Sequence, residues 1–260
     1  MIIDVHTHAW PDKVAERAKE HLETAFDTRL VAVPTVGNLL RSMDRNGIDV
    51  SFIASVASRP EQVASINSWL FSVKNDRLRC FAAMHPFYEK REEELKRVRE
   101  NAAGIKLQPE FQEFYVDDEK VFPLYERLQE YRLPVLFHCG EELSGTRVVR
   151  ASPERMLRVH QRFPDLTIIA AHLGGFRMWD DVARHLAGAG MYMDTAFVFG
   201  HLQKDKLKEM LAAHSPEKIL FGTDFPLADQ KKDREYLEAL DIDDESKIKI
   251  FHKNAEQLFK

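Results

Sequence analysis

Short apolar runs alternate with longer, charged segments along the whole of this 260-residue chain. Each run has the length of a buried β-strand, and each intervening segment has the spacing of apolar residues that is typical of an amphipathic helix. The runs read MIIDV, DVSFIAS, LRCFAAM, AGIKL, PVLFHC, LTIIAAH, GMYMD and KILFGTD. Because most runs are apolar throughout rather than alternating, both faces of the sheet must be covered, which favours parallel strands with helices outside them.

Eight strand–helix units in a chain of this length predict an α/β fold, a single-domain (β/α)8 TIM barrel over residues 1–260. The alternative is an open, doubly wound sheet, which usually carries a glycine-rich turn after its first strand. Here that turn is replaced by His6-Thr7-His8, which favours the barrel. Residues 10–33 exceed what a minimal barrel needs and predict a helical insertion after strand one, at the catalytic end. This insertion is equally consistent with a lid and with a packing helix.

Polar side chains fall at the carboxyl ends of the predicted strands, where a barrel places its functional residues. They are His6 and His8 on strand one, Lys106 on strand four, His138 on strand five, His172 on strand six and Asp224 on strand eight. Residues two apart on a strand share a face, so His6 and His8 are expected to point at the same spot on the barrel axis.

The same two-residue period predicts what lies beneath these side chains. The residues expected one layer below the inward-facing groups of strands five, six and eight are Leu136, Ala170 and Gly222. Asp4 is expected on the face of His6 and His8, where it either orients a ligand histidine or is a structural hydrogen-bonding residue.

Four imidazoles and one carboxylate that converge on one spot are difficult to explain without a cation, because buried polar groups without partners are costly. A single histidine at a strand end is usually an ordinary core residue. Five such side chains at the expected ends of four strands make that explanation weak. Neutral imidazole and carboxylate are ligands for a borderline divalent metal such as zinc. The pattern therefore predicts a metal site at the carboxyl end of the barrel.

These residues lie in stretches that resemble the amidohydrolase superfamily, and within it the amidohydrolase-related (amidohydrolase 2) group that includes the aminocarboxymuconate semialdehyde decarboxylase-like enzymes. The matching stretches are IDVHTH, GIKLQP, PVLFHCG, IIAAHLGG, ILFGTDFP and, near the end, KNAEQLF. The resemblance spans nearly the whole chain and is more specific for the superfamily than for the group. It implies that His6, His8, His138 and Asp224 are metal ligands and that His172 binds a second metal or contacts the substrate.

The residue at the end of strand four, Lys106, differs from that of one group of relatives and agrees with that of another. TatD-like nucleases typically have glutamate on strand four, so Lys106 weakens a nuclease interpretation. Binuclear relatives such as phosphotriesterase-like lactonases carry a lysine there, carbamylated to bridge two metals. Lys106 is therefore expected to bridge two ions as a carbamate, to pair as a cation with a substrate carboxylate, or to point away. One ion, most simply zinc, is favoured, and two are expected if Lys106 is carbamylated.

The predicted function is a metal-dependent hydrolase that uses metal-activated water on a small-molecule ester, lactone or amide. In this hypothesis Asp224 accepts a proton from the water and delivers it to the leaving group, while the metal and His172 stabilise the oxyanion. The alternative is a metal-dependent non-oxidative decarboxylase, a carboxy-lyase, acting on an aromatic or enol carboxylic acid. A third hypothesis, a metal-binding barrel without catalysis, is disfavoured by the intact Asp224.

The loops at the predicted strand ends supply candidate substrate contacts. They are Lys106, Arg59 after strand two, His85 at the end of strand three, Arg177 after strand six and Phe197 after strand seven. The long loop after strand five adds Arg147 and Arg150. A solvated charge or plain packing is the simpler explanation for each. The remaining histidines are expected at the surface: His21, His160, His185, His201, His214 and His252.

Composition restricts the compartment and the partners. A formal net charge of -5 at pH 7 gives no electrostatic case for nucleic acid or an anionic membrane. No apolar run approaches the roughly 20 residues of a membrane span. No signal peptide is visible, and two cysteines, Cys80 and Cys139, give no disulfide framework. The expectation is a cytoplasmic protein whose partner is a small-molecule substrate, with a homo-oligomer left open.

Overall fold

Eight parallel strands form the centre of the computed structural model, which describes residues 1–145 and 148–260. Each strand pairs with the next in chain order, and the backbone N–H of Val5 donates to Phe221 O at 2.9 Å, which joins the last strand to the first. The strands are Ile3–Thr7 (β1), Val50–Ala54 (β2), Leu78–Ala83 (β3), Gly104–Leu107 (β4), Val135–Phe137 (β5), Ile168–Ala170 (β6), Tyr192–Asp194 (β7) and Ile219–Leu220 (β8). The predicted (β/α)8 barrel is confirmed.

Helices follow the strands and cover the outside of the barrel. The helix Pro153–Arg162, for example, begins with the Ser152 hydroxyl accepting from Arg155 N and with proline at the first helical position. The helices of the described residues are Asp12–Phe26 (α1), Val36–Asn46 (α2), Val63–Val73 (α3), Arg91–Asn101 (α4), Pro109–Gln112 (α5), Phe122–Tyr131 (α6), Pro153–Arg162 (α7), Trp179–His185 (α8), Lys204–His214 (α9), Gln230–Glu238 (α10), Asp244–Ile248 (α11) and Asn254–Leu258 (α12), with a π-helical segment, Lys249–Lys253, between the last two. Each of these helices is too short or too polar to cross a lipid bilayer.

The barrel interior has its own apolar cluster, separate from the larger one between strands and helices. Phe52 and Phe81 lie at its centre, and the ring of Phe259, after α12, packs against both at centroid distances of 4.7 and 5.6 Å. Burying an aromatic side chain of this size stabilises a fold by roughly 2 kcal/mol. The end of the chain therefore closes the bottom of the barrel, and the top is left for polar side chains.

Two helices, rather than one, connect β1 to β2. The segment 10–33 contains α1, and its backbone is anchored by the Val31 N–H, which donates to Pro226 O at 2.9 Å. At the end of α1, the ring of Phe26 stacks on Phe111 at 6.3 Å. The segment thus lies across the loops that follow β4 and β8. Its function as a lid stays a prediction.

A β-bulge in β1 changes which side chains face the interior. The parallel register pairs Asp4 with Ser51 but Thr7 with Ile53, so two residues of β1 stand opposite one residue of β2. Ile3 and Val5 belong to the interior cluster below the bulge, whereas His6 and His8 turn inward above it. The expectation that Asp4 shares the face of His6 and His8 is wrong, because the period of two does not continue through a bulge.

Asp4 instead points between the strands and α10. Its Oδ2 accepts from Gln230 Nε2 at 2.8 Å and from the Thr223 hydroxyl at 2.7 Å. Its Oδ1 accepts from the backbone N–H groups of His6 and Thr223. Burial raises the pKa of Asp4 to about 7, although these hydrogen bonds oppose that shift. Asp4 is therefore a structural tie between β1, β8 and α10.

The predicted alternation also fails at the end of β6. Ala170 packs toward the helices, while Ile169 and Ala171 face the interior. Extended backbone would consequently turn His172 outward, but His172 has φ 59, and this left-handed conformation returns its side chain to the axis. The expectation for β5 is confirmed, since Leu136 faces the interior.

The small residue expected beneath Asp224 is confirmed as well. A Cβ placed on Gly222 would lie 3.0 Å from His6 Cβ, so this position faces the interior and a larger side chain would crowd His6.

Two further expectations can be compared with the fold. Cys80 and Cys139 are free and buried. His214 is buried rather than at the surface, with its ring nitrogens 3.1 and 2.9 Å from the carbonyl oxygens of Leu186 and Met191. Its hydrogen bonds to the backbone make burial affordable for a polar ring, and helical spacing alone did not reveal this.

Candidate metal centre

The six side chains predicted to form the site lie together at the carboxyl end of the barrel. The contacts are His8 Nε2 to Asp224 Oδ1 at 2.8 Å, His6 Nε2 to Asp224 Oδ1 at 3.8 Å, Lys106 Nζ to His6 Nε2 at 3.3 Å, and His172 Nε2 to His138 Nδ1 at 3.0 Å. His8 is half-buried and the other five are buried. Five different strands thus contribute to one cluster, as the positions of the polar residues in the sequence predict.

Three of the imidazoles have their orientation set by an oxygen behind them. The contacts of their Nδ1 atoms are His6 to Asp194 Oδ2 at 2.8 Å, His8 to Ala54 O at 2.6 Å and His172 to Ala196 O at 2.8 Å. An oxygen acceptor at that distance places the proton on Nδ1. The Nε2 lone pairs of all three rings are therefore directed into the cluster, as in histidines that bind metals.

Asp224 completes this arrangement. Its Oδ1 is buried and accepts no hydrogen bond in the described part of the chain, even though His8 Nε2 is 2.8 Å away. A carboxylate oxygen and an imidazole lone pair are both acceptors, so their close approach requires a cation or a proton between them. Ligand atoms of His6, His8 and Asp224 all lie within 4.8 Å of one another. This donor set fits a divalent metal ion.

Electrostatics favour neutral imidazoles at His6 and His172 and an ionised carboxylate at Asp224, whereas at His138 burial lowers the pKa but the adjacent Glu142 raises it above its ordinary value. Burial lowers the pKa of His172 to about 3, with a further contribution from His138. Burial, together with the charge of Lys106, lowers the pKa of His6. Burial alone would raise the pKa of Asp224, but the adjacent His6 and His8 outweigh it and hold that pKa below its ordinary value. Metal binding requires a neutral imidazole and an ionised carboxylate, so His6, His172 and Asp224 are ready to bind an ion, and His138 must release a proton to do so.

Lys106 is a buried lysine in direct contact with the centre. Burial lowers its pKa, while the carboxylates of Asp194 and Asp224 act in the opposite direction. Whether Lys106 is carbamylated stays a prediction.

Asp194, at the end of β7, is a site residue that the sequence analysis missed. Its Oδ2 accepts from His6 Nδ1, and its Oδ1 accepts from the backbone N–H groups of His172 and Ala196 at 2.9 and 3.1 Å. It thereby holds two of the predicted ligands in place. The same strand-end rule that found the histidines would have found the aspartate in GMYMD.

His138 connects the centre to a second group of carboxylates. Its Nδ1 faces His172, and its Nε2 lies 3.0 Å from Glu142 Oε1. Glu110 lies close by, so that ligand atoms of Glu110, His138 and Glu142 are also within 4.8 Å of one another. The Gln108 amide donates to Glu142. Both glutamates follow strand ends in the sequence, which is the signal that could have identified them.

The candidate substrate contacts separate into two sets. Phe197 is half-buried and contacts Phe176, whose ring lies 6.1 Å from His172, and the Arg177 guanidinium covers Phe176 at 5.0 Å. Arg59 is exposed, and its backbone N–H donates to Gln62 Oε1. His85 is buried, and its Nδ1 accepts from Phe87 N within the same loop. Arg147 lies outside the described residues.

Aromatic rings stand on two sides of the ligands. Trp10, which follows β1, lies 6.0 Å from the ring of His8 and is half-buried. Phe176 and Phe197 lie on the side of His172. The sequence analysis selected Phe197 but not Trp10. Rings in these positions suit a flat, partly apolar ligand.

Solved structures provide the comparison for this fold. Amidohydrolase II matches with a TM-score of 0.77 and 20% identity, covering 100% of this chain and 99% of that one. 2,6-Dihydroxybenzoate decarboxylase from Rhizobium matches with a TM-score of 0.74 and 16% identity, covering 99% and 98%. 5-Carboxyvanillate decarboxylase from Novosphingobium aromaticivorans, complexed with manganese and 4-hydroxy-3-methoxy-5-nitrobenzoic acid, has a TM-score of 0.72 and 15% identity, covering 100% and 96%. At these identities the likeness shows the fold.

The family is shown by a comparison of the sequence itself. No curated protein gives a match to the chain. The model of the amidohydrolase family Amidohydro_2, in contrast, matches residues 3–260, which contain every strand and all six side chains of the centre. This protein belongs to the amidohydrolase-2 family.

Proposed function

We propose that this protein is a metal-dependent, non-oxidative decarboxylase of an aromatic or enol carboxylic acid. The observation that carries the proposal is the placement of a buried acid, Asp224, among imidazoles that have the ring of Trp10 on one side and the ring of Phe176, with Phe197 packed against it, on the other. Two of the structurally similar proteins named above are decarboxylases of hydroxylated aromatic acids. The first interpretation of the sequence, hydrolysis, becomes the second candidate.

The residues that would hold the ion are His6, His8 and Asp224, joined by His138 through Nδ1 and His172 through Nε2. When bound, a divalent ion supplies a Lewis acid that polarises the carboxylate and the neighbouring hydroxyl of the substrate. Zinc and manganese both suit imidazole and carboxylate ligands. Manganese is present in one of the similar decarboxylases.

Asp224 is the group that we assign to proton transfer. In decarboxylation the bond between the ring carbon and the carboxyl carbon breaks, its electron pair stays on the ring carbon, and carbon dioxide leaves. Asp224, which is ionised in the centre, first takes up the proton of the substrate hydroxyl on Oδ1, an oxygen free of hydrogen-bond donors in the described residues. It then gives this proton to the ring carbon.

Lys106 supplies the cation that orients the substrate carboxylate. Among the described lysines and arginines it is the one that is buried, and its Nζ reaches His6 Nε2 at 3.3 Å. Arg177 is exposed above Phe176 and is assigned to the mouth of the pocket. The rings of Trp10 and Phe197 hold the plane of the substrate and exclude water from the ring carbon.

The experiment is turnover of the metal-loaded protein on a panel of hydroxybenzoates and carboxylated phenols in D2O. Carbon dioxide release with one deuterium at the vacated ring carbon is expected. The Asp224→Asn protein, checked for metal content, should lose both. Release of alcohol or amine from an ester, lactone or amide panel, without carbon dioxide from any acid, would reject the decarboxylase.

Hydrolysis is retained because one observation favours it. The unpartnered Oδ1 of Asp224 faces the centre and could equally accept a proton from water. In that case the carbonyl of an ester, lactone or amide would occupy the position of the carboxylate. Incorporation of ¹⁸O from labelled water into the product acid distinguishes this reaction, since decarboxylation incorporates none into the ring product.

A further inference from the structure

A second cluster of ligating side chains lies beside the proposed metal centre and has no part in the mechanism above. It consists of Glu110 in α5, Glu142 after β5, the Nε2 side of His138, and Gln108, and we call it the Glu110–Glu142 cluster. Glu110, Glu142 and Gln108 are all more than nine-tenths buried. Ligand atoms of the two glutamates and His138 lie within 4.8 Å of one another.

Two oxygen atoms of this cluster have no partner in the described part of the chain. Glu110 accepts from Arg150 N through Oε1 at 2.6 Å, but its Oε2 is buried and unpartnered. Gln108 uses its amide nitrogen on Glu142, and its amide oxygen is likewise buried and unpartnered. Buried acceptors are almost always satisfied in native proteins. An amide oxygen and a carboxylate oxygen that are both unpartnered at one place are donors that a cation can use.

The negative charge at this position is compensated only in part by the described residues. Two glutamates are buried together, and the ion pair that they make there is the one from His138 Nε2 to Glu142 at 3.0 Å, while Lys106 contacts His6 instead. Removing a carboxylate from water without a counter-charge is expensive, so such groups are normally paired or bound to a metal.

We propose that Glu110, Glu142 and Nε2 of His138 bind a second divalent cation, with the Gln108 amide oxygen as a further donor. His138 already presents Nδ1 to the first centre and Nε2 to Glu142 at 3.0 Å, so one imidazole would join the two ions. When both ions bind, the protons of Nδ1 and Nε2 are released to solvent, and His138 joins the ions as an imidazolate. Oxygen and imidazole ligands of this kind suit manganese or zinc.

This ion is distinct from one bridged by a carbamylated Lys106. Lys106 Nζ lies against His6, on β1, whereas the glutamates approach His138 from the loops after β4 and β5. The proposal concerns metal binding alone and does not depend on the reaction that the first centre catalyses.

The test is the number of Mn²⁺ ions bound per chain after chelator treatment, reloading with Mn²⁺ and gel filtration, measured by plasma mass spectrometry. The wild-type protein is expected to hold two ions, and Glu110→Gln and Glu142→Gln one each. Glu113→Gln, an exposed neighbour on the same segment, is the matched control and should keep two. His8→Ala should retain the ion of the Glu110–Glu142 cluster.

A crystal of the Mn²⁺-loaded wild-type protein gives a measurement that needs no variant. An anomalous peak between Glu110 and Glu142, besides the one at His8 and Asp224, is expected. One ion per chain with a peak only at His8 and Asp224, or an unchanged count in Glu110→Gln, would overturn the proposal. Carbon dioxide release by a one-ion protein would reject the second ion and leave the proposed function intact.

Discussion

Asp194→Asn is the substitution that tests most directly how the centre is built. Asp194 accepts three hydrogen bonds, one from His6 Nδ1 through Oδ2 and two from the backbone N–H groups of His172 and Ala196 through Oδ1. Asparagine has only one carbonyl oxygen. If that oxygen serves the two backbone donors, the amide NH2 meets His6 Nδ1, and the His6 proton must move to Nε2, where the lone pair for the metal is lost.

The size of the effect follows from that tautomer change. Loss of a partner that orients a ligand histidine typically costs 10–100-fold in metal affinity, which corresponds to about 1.4–2.7 kcal/mol. The folding stability of the apo protein should fall by less than this, because the backbone hydrogen bonds to residue 194 can still form. Weaker metal binding with a nearly unchanged apo fold is therefore the expected result.

Competition with a fluorescent chelator measures the affinity, and circular dichroism with thermal unfolding of the apo protein measures the fold. Asp76→Asn, at an exposed position, is the matched control and should bind metal like the wild type. Equal metal affinities for Asp194→Asn and the wild type would refute the proposed orientation of His6.

Three further predictions concern proton transfer, buried charge and the metal itself. Asp224→Asn should lower turnover by roughly 10²–10⁴-fold. Substrate affinity, measured by product inhibition or equilibrium binding, should change far less. Burial raises the pKa of Asp233 to about 8, so the folded state retains a proton that the unfolded state releases, and stability should fall as pH rises from about 4 to 8. Asp233→Asn should remove the part of that fall that Asp233 causes, while the part caused by Asp4 remains. The variant should be more stable than the wild type by a few kcal/mol above pH 8 and by little at pH 4. Urea unfolding across pH measures this, and parallel curves would contradict it. Metal held at 100 times its Kd should stabilise the protein by about 2.7 kcal/mol, visible in calorimetry as a higher melting temperature that a chelator abolishes.

The fold and most of the centre could be predicted because the barrel converts sequence position into spatial position. Every strand ends at the same rim, so polar residues at strand ends must meet there whatever their separation along the chain. His6 and Asp224 are 218 residues apart in the chain and 3.8 Å apart at their nearest ligand atoms. Glu110 and Glu142 escaped because they follow the strands by several residues, and loop conformation decides where such residues point.

Whether a strand residue faces the barrel interior or the helices could be predicted only where the backbone stays extended. The period of two holds for Leu136 and fails for Asp4 and for Ala170. In β1 the failure comes from a bulge within IDVHT, a stretch without glycine or proline to indicate it. In β6 it comes from a left-handed residue that is histidine rather than glycine. Neither departure has a local sequence signal, because tertiary contacts stabilise both.

Those departures have a common physical basis, which explains why they occur at the centre. His172 and Asp224 have φ 59 and 69, a conformation that costs a non-glycine residue roughly 1–3 kcal/mol. In both places backbone hydrogen bonds to a neighbouring strand oppose the strain, with Asp224 N donating to His6 O at 2.8 Å and Leu173 N donating to Asp194 O at 2.7 Å. A regular strand would point its last side chains alternately in and out. By leaving the extended conformation at the rim, β1, β6 and the segment after β8 direct side chains from either parity toward the same ion, so the strain serves the geometry of the ligands.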